Sequence, residues 1–174
     1  MSNVATNQEI SIIEWTARVR CNEHALGGSY SVLIFLGLIP EDPKDWRVSP
    51  SLVGMHGVYT DDSGGYGGYG SSGQGGNTVD REVEGYVKLN RALMRSGIPS
   101  FKEEDVIPYL RDNLGWRIQK VTGEVVPISN LPSLEVEVLS SVLKRSPTDQ
   151  VPMPIGSPKH HHEVTSGRPG GHRA

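Results

Sequence analysis

The N-terminal part of the chain alternates between apolar and polar residues. Over residues 9–21 every second position is apolar, with Trp15 on the apolar side and Arg18 on the polar side. This period of two predicts a strand with one buried and one solvent-facing side. Residues 30–36 are apolar at nearly every position and predict a central strand that is covered on both faces.

The same reasoning, applied further along, predicts more short strands and little helix. Glycines at 54 and 57 within the extended residues 51–60 predict a bulge or the close approach of another backbone. Further strands are predicted at 79–89, 116–121, 124–128 and 134–143, with a Thr122-Gly123 hairpin turn, and helices at 90–96 and 104–114, where Pro108 predicts a kink or two short pieces. The sequence therefore predicts a mainly β fold, an antiparallel β-sandwich or flattened barrel with one or two short helices.

The length of 174 residues suits one domain. We expect a flexible N-terminus at residues 1–8 and a β domain over 9–145. Residues 61–77 form a loop rich in glycine and tyrosine, with eight glycines among seventeen residues, which cannot pack a core of its own. Residues 146–174 are rich in Pro, Gly and His and are predicted to be an extended tail over the surface.

Charge and composition exclude several kinds of partner. The formal net charge is −3 and basic residues are dispersed, so no nucleic-acid partner is expected. No apolar run approaches the ~20 residues of a membrane span, and the N-terminus lacks the pattern of a leader, which predicts a cytoplasmic protein without a membrane partner. The single cysteine, Cys21, is predicted to be a small core residue.

The sequence offers few signs of catalytic or metal chemistry. It contains no nucleophile paired with a base, no phosphate-binding loop and no dinucleotide fingerprint. Soft ligands for copper exist at Cys21, His24, Met55 and His56 and in the run at residues 160–162. Because adjacent histidines on an extended chain point in different directions, we interpret the run as a solvated tail. No metal and no cofactor are predicted.

Several blocks, in order, carry a family resemblance. They are EW at 14–15, HALGGSY at 24–30, LVGMHGVY at 52–59, EDVIPYLRDNLGWR at 104–117, LEVEV at 134–138 and EVTSGRPGG at 163–171. Each block alone is weak, but together they cover residues 9–171. The chain resembles the C-terminal domain of ascomycete fungal tyrosinases.

The resemblance implies a domain that acts as a lid over a dicopper site, with an aromatic side chain in the phenol pocket. By position that side chain is Tyr59, or a tyrosine of the loop at 61–77. The family's Cys-x-x-Cys, credited with handing copper to the enzyme, would fall in this loop, which has no cysteine. The histidine-bearing catalytic domain is also missing from this sequence, so the chain is not itself a tyrosinase.

The first functional hypothesis is a cofactor-independent cyclase or isomerase of the pericyclase type, performing for example an intramolecular cycloaddition on an apolar intermediate of fungal secondary metabolism. A shaped pocket with polar donors can accelerate such a reaction. Its predicted catalytic residues are Tyr59, His56 and His24, and its predicted substrate-binding residues are Tyr66, Tyr69, Trp15, Tyr30, Phe35 and Met55. The alternatives are a caddie protein that shields the dicopper site of a tyrosinase-like enzyme in trans, and a non-catalytic small-molecule binding protein.

Overall fold

A computed structural model describes residues 10–60, 81–146, 148 and 150–174. The predicted flexible N-terminus and the glycine-rich loop, with Tyr66 and Tyr69, lie outside the described residues. No helix in the described ranges is long and apolar enough to cross a membrane.

The described residues form two four-stranded antiparallel sheets, which confirms the predicted sandwich. The first sheet has the order β4-β1-β7-β8 and the second β3-β2-β5-β6. The strands are β1 (Ile10–Asn22), β2 (Tyr30–Leu36), β3 (Leu52–Val58), β4 (Glu82–Lys88), β5 (Leu114–Lys120), β6 (Val125–Val126), β7 (Glu135–Arg145) and β8 (Met153–His160). The turn at residues 121–124 joins β5 to β6, as predicted.

The alternation in β1 places its apolar side between the two sheets. Trp15, Ala17, Val19 and Cys21 are all buried there, and Cys21 is a core residue as predicted. Fully burying one large aliphatic or aromatic side chain contributes ~1.5–3 kcal/mol, so this inner cluster stabilises the fold.

The second central strand, β2, is buried on both faces, as its continuous apolar run predicts. Val32 and Ile34 face the inner core, whereas Leu33 and Phe35 form a small outer core with Trp46. Trp46 belongs to a 3-10 helix, Pro43–Val48, that covers the outer face of the second sheet. A register shift between Ile34 and Phe35 gives β3 one extra residue beside Gly54, which confirms the predicted bulge.

Two helices, α1 (Asn90–Arg95) and α2 (Glu103–Asn113), follow β4 in the chain. The prediction of two short pieces around Pro108 is wrong, since α2 is a single helix with Pro108 inside it. The proline lies in the second turn, so its missing N–H removes only the bond to the carbonyl of Glu104. Acidic residues in the first turn stabilise α2, because their charge is favourable near the positive end of the helix dipole.

The C-terminal residues are part of the fold. Strand β8 pairs with the edge of β7 and is exposed along its length. After it the chain turns inward, where Val164 and Thr165 are buried, and Gly171 bridges to Val136. The prediction that the whole histidine run is solvated is wrong for His161, which is 1% exposed.

Candidate functional site

One end of the sandwich gathers several residues that the sequence singled out. Strand β1 of the first sheet ends there. In the second sheet β2 begins and β3 ends there, because these two strands are antiparallel. The backbone N–H of Glu23 donates to the carbonyl of Arg81 at 2.8 Å, and the N–H of Thr60 donates to Ser29 Oγ at 3.1 Å. These bonds place His24 and Tyr59 at the same end, which we call the loop end.

Tyr59 is the most exposed aromatic residue described, with 77% of its surface open to solvent. Its ring lies against Gly57, where an added Cβ would stand 3.0–3.1 Å from three ring and hydroxyl atoms. A larger residue at position 57 would therefore require the ring to shift by a few tenths of an ångström. Within the described residues the Tyr59 hydroxyl has no hydrogen-bond partner.

His56 lies on the opposite face of β3 from Tyr59. It pairs with Val32, whose side chain faces the inner core, and its imidazole occupies the place that a side chain on Gly85 of β4 would need. Burial lowers the pKa of His56, and its Nε2 is buried without a partner among the described residues. The structure therefore separates two of the three predicted catalytic residues, His56 and Tyr59, onto opposite sides of one strand, whereas His24 lies in the loop that follows β1.

The predicted substrate-binding residues are distributed through the fold. Trp15, Tyr30 and Phe35 are buried in the cores, where the Trp15 indole N–H donates to the carbonyl of Phe101 at 2.8 Å and the Tyr30 hydroxyl donates to the carbonyl of Asn22 at 2.7 Å. Met55 is partly exposed, on the opposite face of β3 from His56. Trp15 and Tyr30 belong to the inner core and Phe35 to the outer core, so the structure does not bring these residues together at one surface.

A cleft of about 620 Å³ lies at the helical end, where α1 and the segment before α2 meet the start of β1. Its lining is mostly apolar and includes Ile12, Ile13, Met94, Phe101 and Leu143. These residues come from separate parts of the chain, so no local pattern predicts the cleft.

A polar cluster that the sequence analysis missed lies on the outer face of the first sheet. Glu137 is 2% exposed and accepts hydrogen bonds from Arg18 and from His160 Nδ1. Burial alone would raise the pKa of Glu137, but these two bonds outweigh it and lower the pKa, so the carboxylate is ionised. His162 and His172 lie in the same cluster with Glu135. The sequence signals that could have revealed this cluster are the glutamates at every second position of 134–138 and the three consecutive histidines at 160–162.

Comparisons with known proteins now identify the family. The sequence model described as "Tyrosinase C-terminal domain" matches residues 14–138. The chain belongs to this family. This match confirms the resemblance to the tyrosinase C-terminal domain that the sequence indicated.

Among its relatives is a tyrosinase of Neurospora crassa, 31% identical over 165 residues that cover 91% of this chain and 23% of that protein. A structure of recombinant mushroom tyrosinase aligns with a TM-score of 0.64 and 17% identity, over 91% of this chain and 26% of the other. A structure of latent and active mushroom tyrosinase aligns with a TM-score of 0.62 and 17% identity, over 91% of this chain and 27% of the other. These alignments show that the fold is shared, and this tyrosinase C-terminal domain spans about a quarter of the length of these relatives.

Proposed function

We propose that this domain shields the active site of a tyrosinase-type dicopper enzyme by presenting Tyr59 at the mouth of the phenol-binding pocket. The observation that carries the proposal is the exposed ring of Tyr59, directly after the buried Val58 that ends β3. A phenol side chain without partners inside its own domain is suited to occupy a pocket that binds phenols.

The support from Gly57 is geometric. The ring lies against Gly57, and this contact favours one position of Tyr59 at the surface. A residue held in one place before binding loses less conformational entropy when it enters a pocket. Family membership supports the choice of partner, since the matched relatives are tyrosinases.

The test mixes the purified chain with the catalytic part of the Neurospora tyrosinase, prepared without the segment that this chain matches. We expect saturable inhibition of phenol oxidation that more phenol overcomes. Tyr59→Ala should weaken inhibition at least about tenfold, as expected for loss of an aromatic anchor worth more than ~1.4 kcal/mol.

The matched control is Tyr86→Ala. Tyr86 is also an exposed tyrosine, but it lies on β4 and its hydroxyl donates to Glu84 at 2.9 Å. Its replacement should leave inhibition unchanged. Equal inhibition by the Tyr59→Ala variant and the parent, or no inhibition by the parent, would refute the shielding role.

A second candidate function is the binding of an apolar small molecule, favoured by the cleft at the helical end. Its volume lies within the ~300–1,000 Å³ of small-molecule sites. Catalysis of a cyclisation or isomerisation stays a prediction, with less support from the geometry because Tyr59 and His56 point away from each other. Titration with an environment-sensitive apolar dye tests the binding role, and Met94→Glu should abolish the dye's fluorescence gain.

A further inference from the structure

Two cross-strand ion pairs form the base of the polar cluster on the first sheet. Arg18 of β1 stands opposite Glu137 of β7, and Arg20 stands opposite Glu135. In both pairs the arginine Nη2 bonds to the glutamate Oε2, at 2.9 Å for Arg20 and Glu135. Each carboxylate is therefore held at one oxygen and presents Oε1 to the residues above it.

Three histidines from the C-terminal residues meet these two free oxygens. His160 Nδ1 and His162 Nε2 lie 2.6 and 2.7 Å from Glu137 Oε1. His172 Nδ1 lies 2.9 Å from Glu135 Oε1, and its ring stacks on that of His162 with centroids 3.7 Å apart. The cluster thus joins residues that are far apart in the sequence.

The histidine between the two ligand-like ones points the other way. His161 is buried, its Nε2 lies 2.7 Å from Ser140 Oγ, and its ring packs on Trp15. This alternation sends His160 and His162 to the same outer side, with His161 fixed in the core beneath them. The histidine run is therefore arranged so that His160 and His162 approach the same carboxylate, contrary to the expectation of a solvated tail.

We propose that this cluster binds one divalent transition-metal ion of the class of Zn²⁺ or Cu²⁺, with ligands drawn from two groups that share Glu137, namely Glu137, His160 and His162, and Glu135, Glu137 and His172. Neutral imidazoles together with carboxylates are the ligands that such ions take in proteins. The proposal goes beyond the shielding role, because the cluster and Tyr59 lie on the outer faces of different sheets.

The distances suit an ion after a small adjustment. The ligand atoms of Glu137, His160 and His162 all lie within 4.8 Å of one another, as do those of Glu135, Glu137 and His172. With metal–ligand bonds of ~2.0–2.1 Å, neighbouring ligand atoms stand roughly 2.9–3.4 Å apart. Since the side chains of His160 and His162 are 44% and 49% exposed, they have room to move outward and admit an ion between their ring nitrogens and the carboxylate.

The two arginines support a preorganised metal site. Carboxylates that bind metals are themselves held by hydrogen bonds, and removal of such outer partners weakens metal binding by about 10–100-fold. Arg18 and Arg20 hold the two glutamates in this way, and β1 fixes both arginines on one face.

The experiment titrates the full chain, first stripped with a chelator, with Zn²⁺ and separately with Cu²⁺, in competition with a chromophoric chelator. We expect one ion per chain. His162→Ala should weaken binding by about 100-fold or more, because it removes a ligand and not merely an outer partner. His172→Ala, at a partly buried position in the second ligand group, should also weaken binding. The matched control His24→Ala removes an exposed histidine that belongs to neither ligand group and should have no effect.

Two further readouts separate a metal site from a set of hydrogen bonds that only pins the C-terminal residues. Binding to the folded state raises Tm, so Zn²⁺ at a concentration that just saturates the parent should raise the Tm of the parent and of His24→Ala and leave that of His162→Ala nearly unchanged. With Cu²⁺, electron paramagnetic resonance should show nitrogen hyperfine splitting that is reduced in His162→Ala. The proposal fails if the parent binds neither ion, if Zn²⁺ leaves its Tm unchanged, or if His162→Ala and His24→Ala bind alike.

Discussion

The two ends of the sandwich hold their prominent aromatic residues in opposite ways. At the helical end Trp15 is buried, its indole N–H donates to Phe101, and its backbone N–H donates to Asn90 Oδ1 at 2.6 Å. The Asn90 side chain in turn donates to the carbonyl of Ile13 at 2.8 Å. At the loop end Tyr59 rests on a glycine and faces solvent.

The difference indicates where each aromatic residue acts. Every polar atom of Trp15 is satisfied within the chain, so its contribution appears in the stability of the fold. The Tyr59 hydroxyl has no such partner among the described residues, and in the proposed function its contribution comes from contact with another molecule. Variants at the two ends should therefore separate stability from binding.

The largest expected effect comes from Trp15→Ala. Truncation of a buried aromatic residue costs ~3–5 kcal/mol, whereas Tyr59→Ala, at an exposed position, should change the free energy of unfolding by no more than ~0.5 kcal/mol. Urea denaturation of both variants measures the contrast. Similar losses of stability in the two variants would show that the ends do not differ.

A smaller effect is expected from Gly85→Ala, which tests the packing beneath Tyr59. The new methyl group would overlap the ring of His56, and overpacking of this kind costs ~1–3 kcal/mol. His56→Ala in the same chain should recover most of the loss, because it vacates that space. A double-mutant cycle measures the coupling, and additive effects would mean that His56 does not pack against Gly85.

The smallest effect concerns the pH dependence of stability. Burial lowers the pKa of His56 in the folded state, so the unfolded state binds more protons as the pH falls. Stability is therefore complete above the unfolded pKa of ~6.5 and is lost below it, by at most ~1.4 kcal/mol per pH unit.

Denaturation of the parent, His56→Gln and His24→Gln between about pH 8 and about pH 5.5 checks this effect. Burial also lowers the pKa of His161, but that residue is unchanged in all three chains, so the difference between parent and variant isolates His56. The His56→Gln variant should have the shallower profile, while His24→Gln follows the parent. Parallel profiles for parent and His56→Gln would contradict the burial of the imidazole.

Local patterns in the sequence predict much of the fold. The alternation of β1, the apolar run of β2 and the hairpin after β5 depend on neighbouring residues, and the structure confirms all three. The separation of His56 from Tyr59 was also open to prediction, since residues three apart on a strand face opposite sides. The hypothesis of a shared catalytic site gave more weight to their common sequence block than to this period.

The polar cluster illustrates what a single sequence does not determine. Arg18 and Glu137 meet only because β1 pairs with β7 in one register, and register depends on the packing of the whole inner core. The composition of the C-terminal residues indicated a solvated tail, but the edge of β7 and the buried Val164 give them a place in the fold. Such long-range contacts override the local tendency.

The pairing of β1 with β7 also has a kinetic consequence. Arg18 and Glu137 are 119 residues apart, so the central strand of the first sheet gains this neighbour only after most of the chain has been synthesised. Chains dominated by such non-local pairings fold in milliseconds to seconds, and their unpaired strands can meet those of other chains first. We therefore expect the yield of refolding to fall as the protein concentration rises.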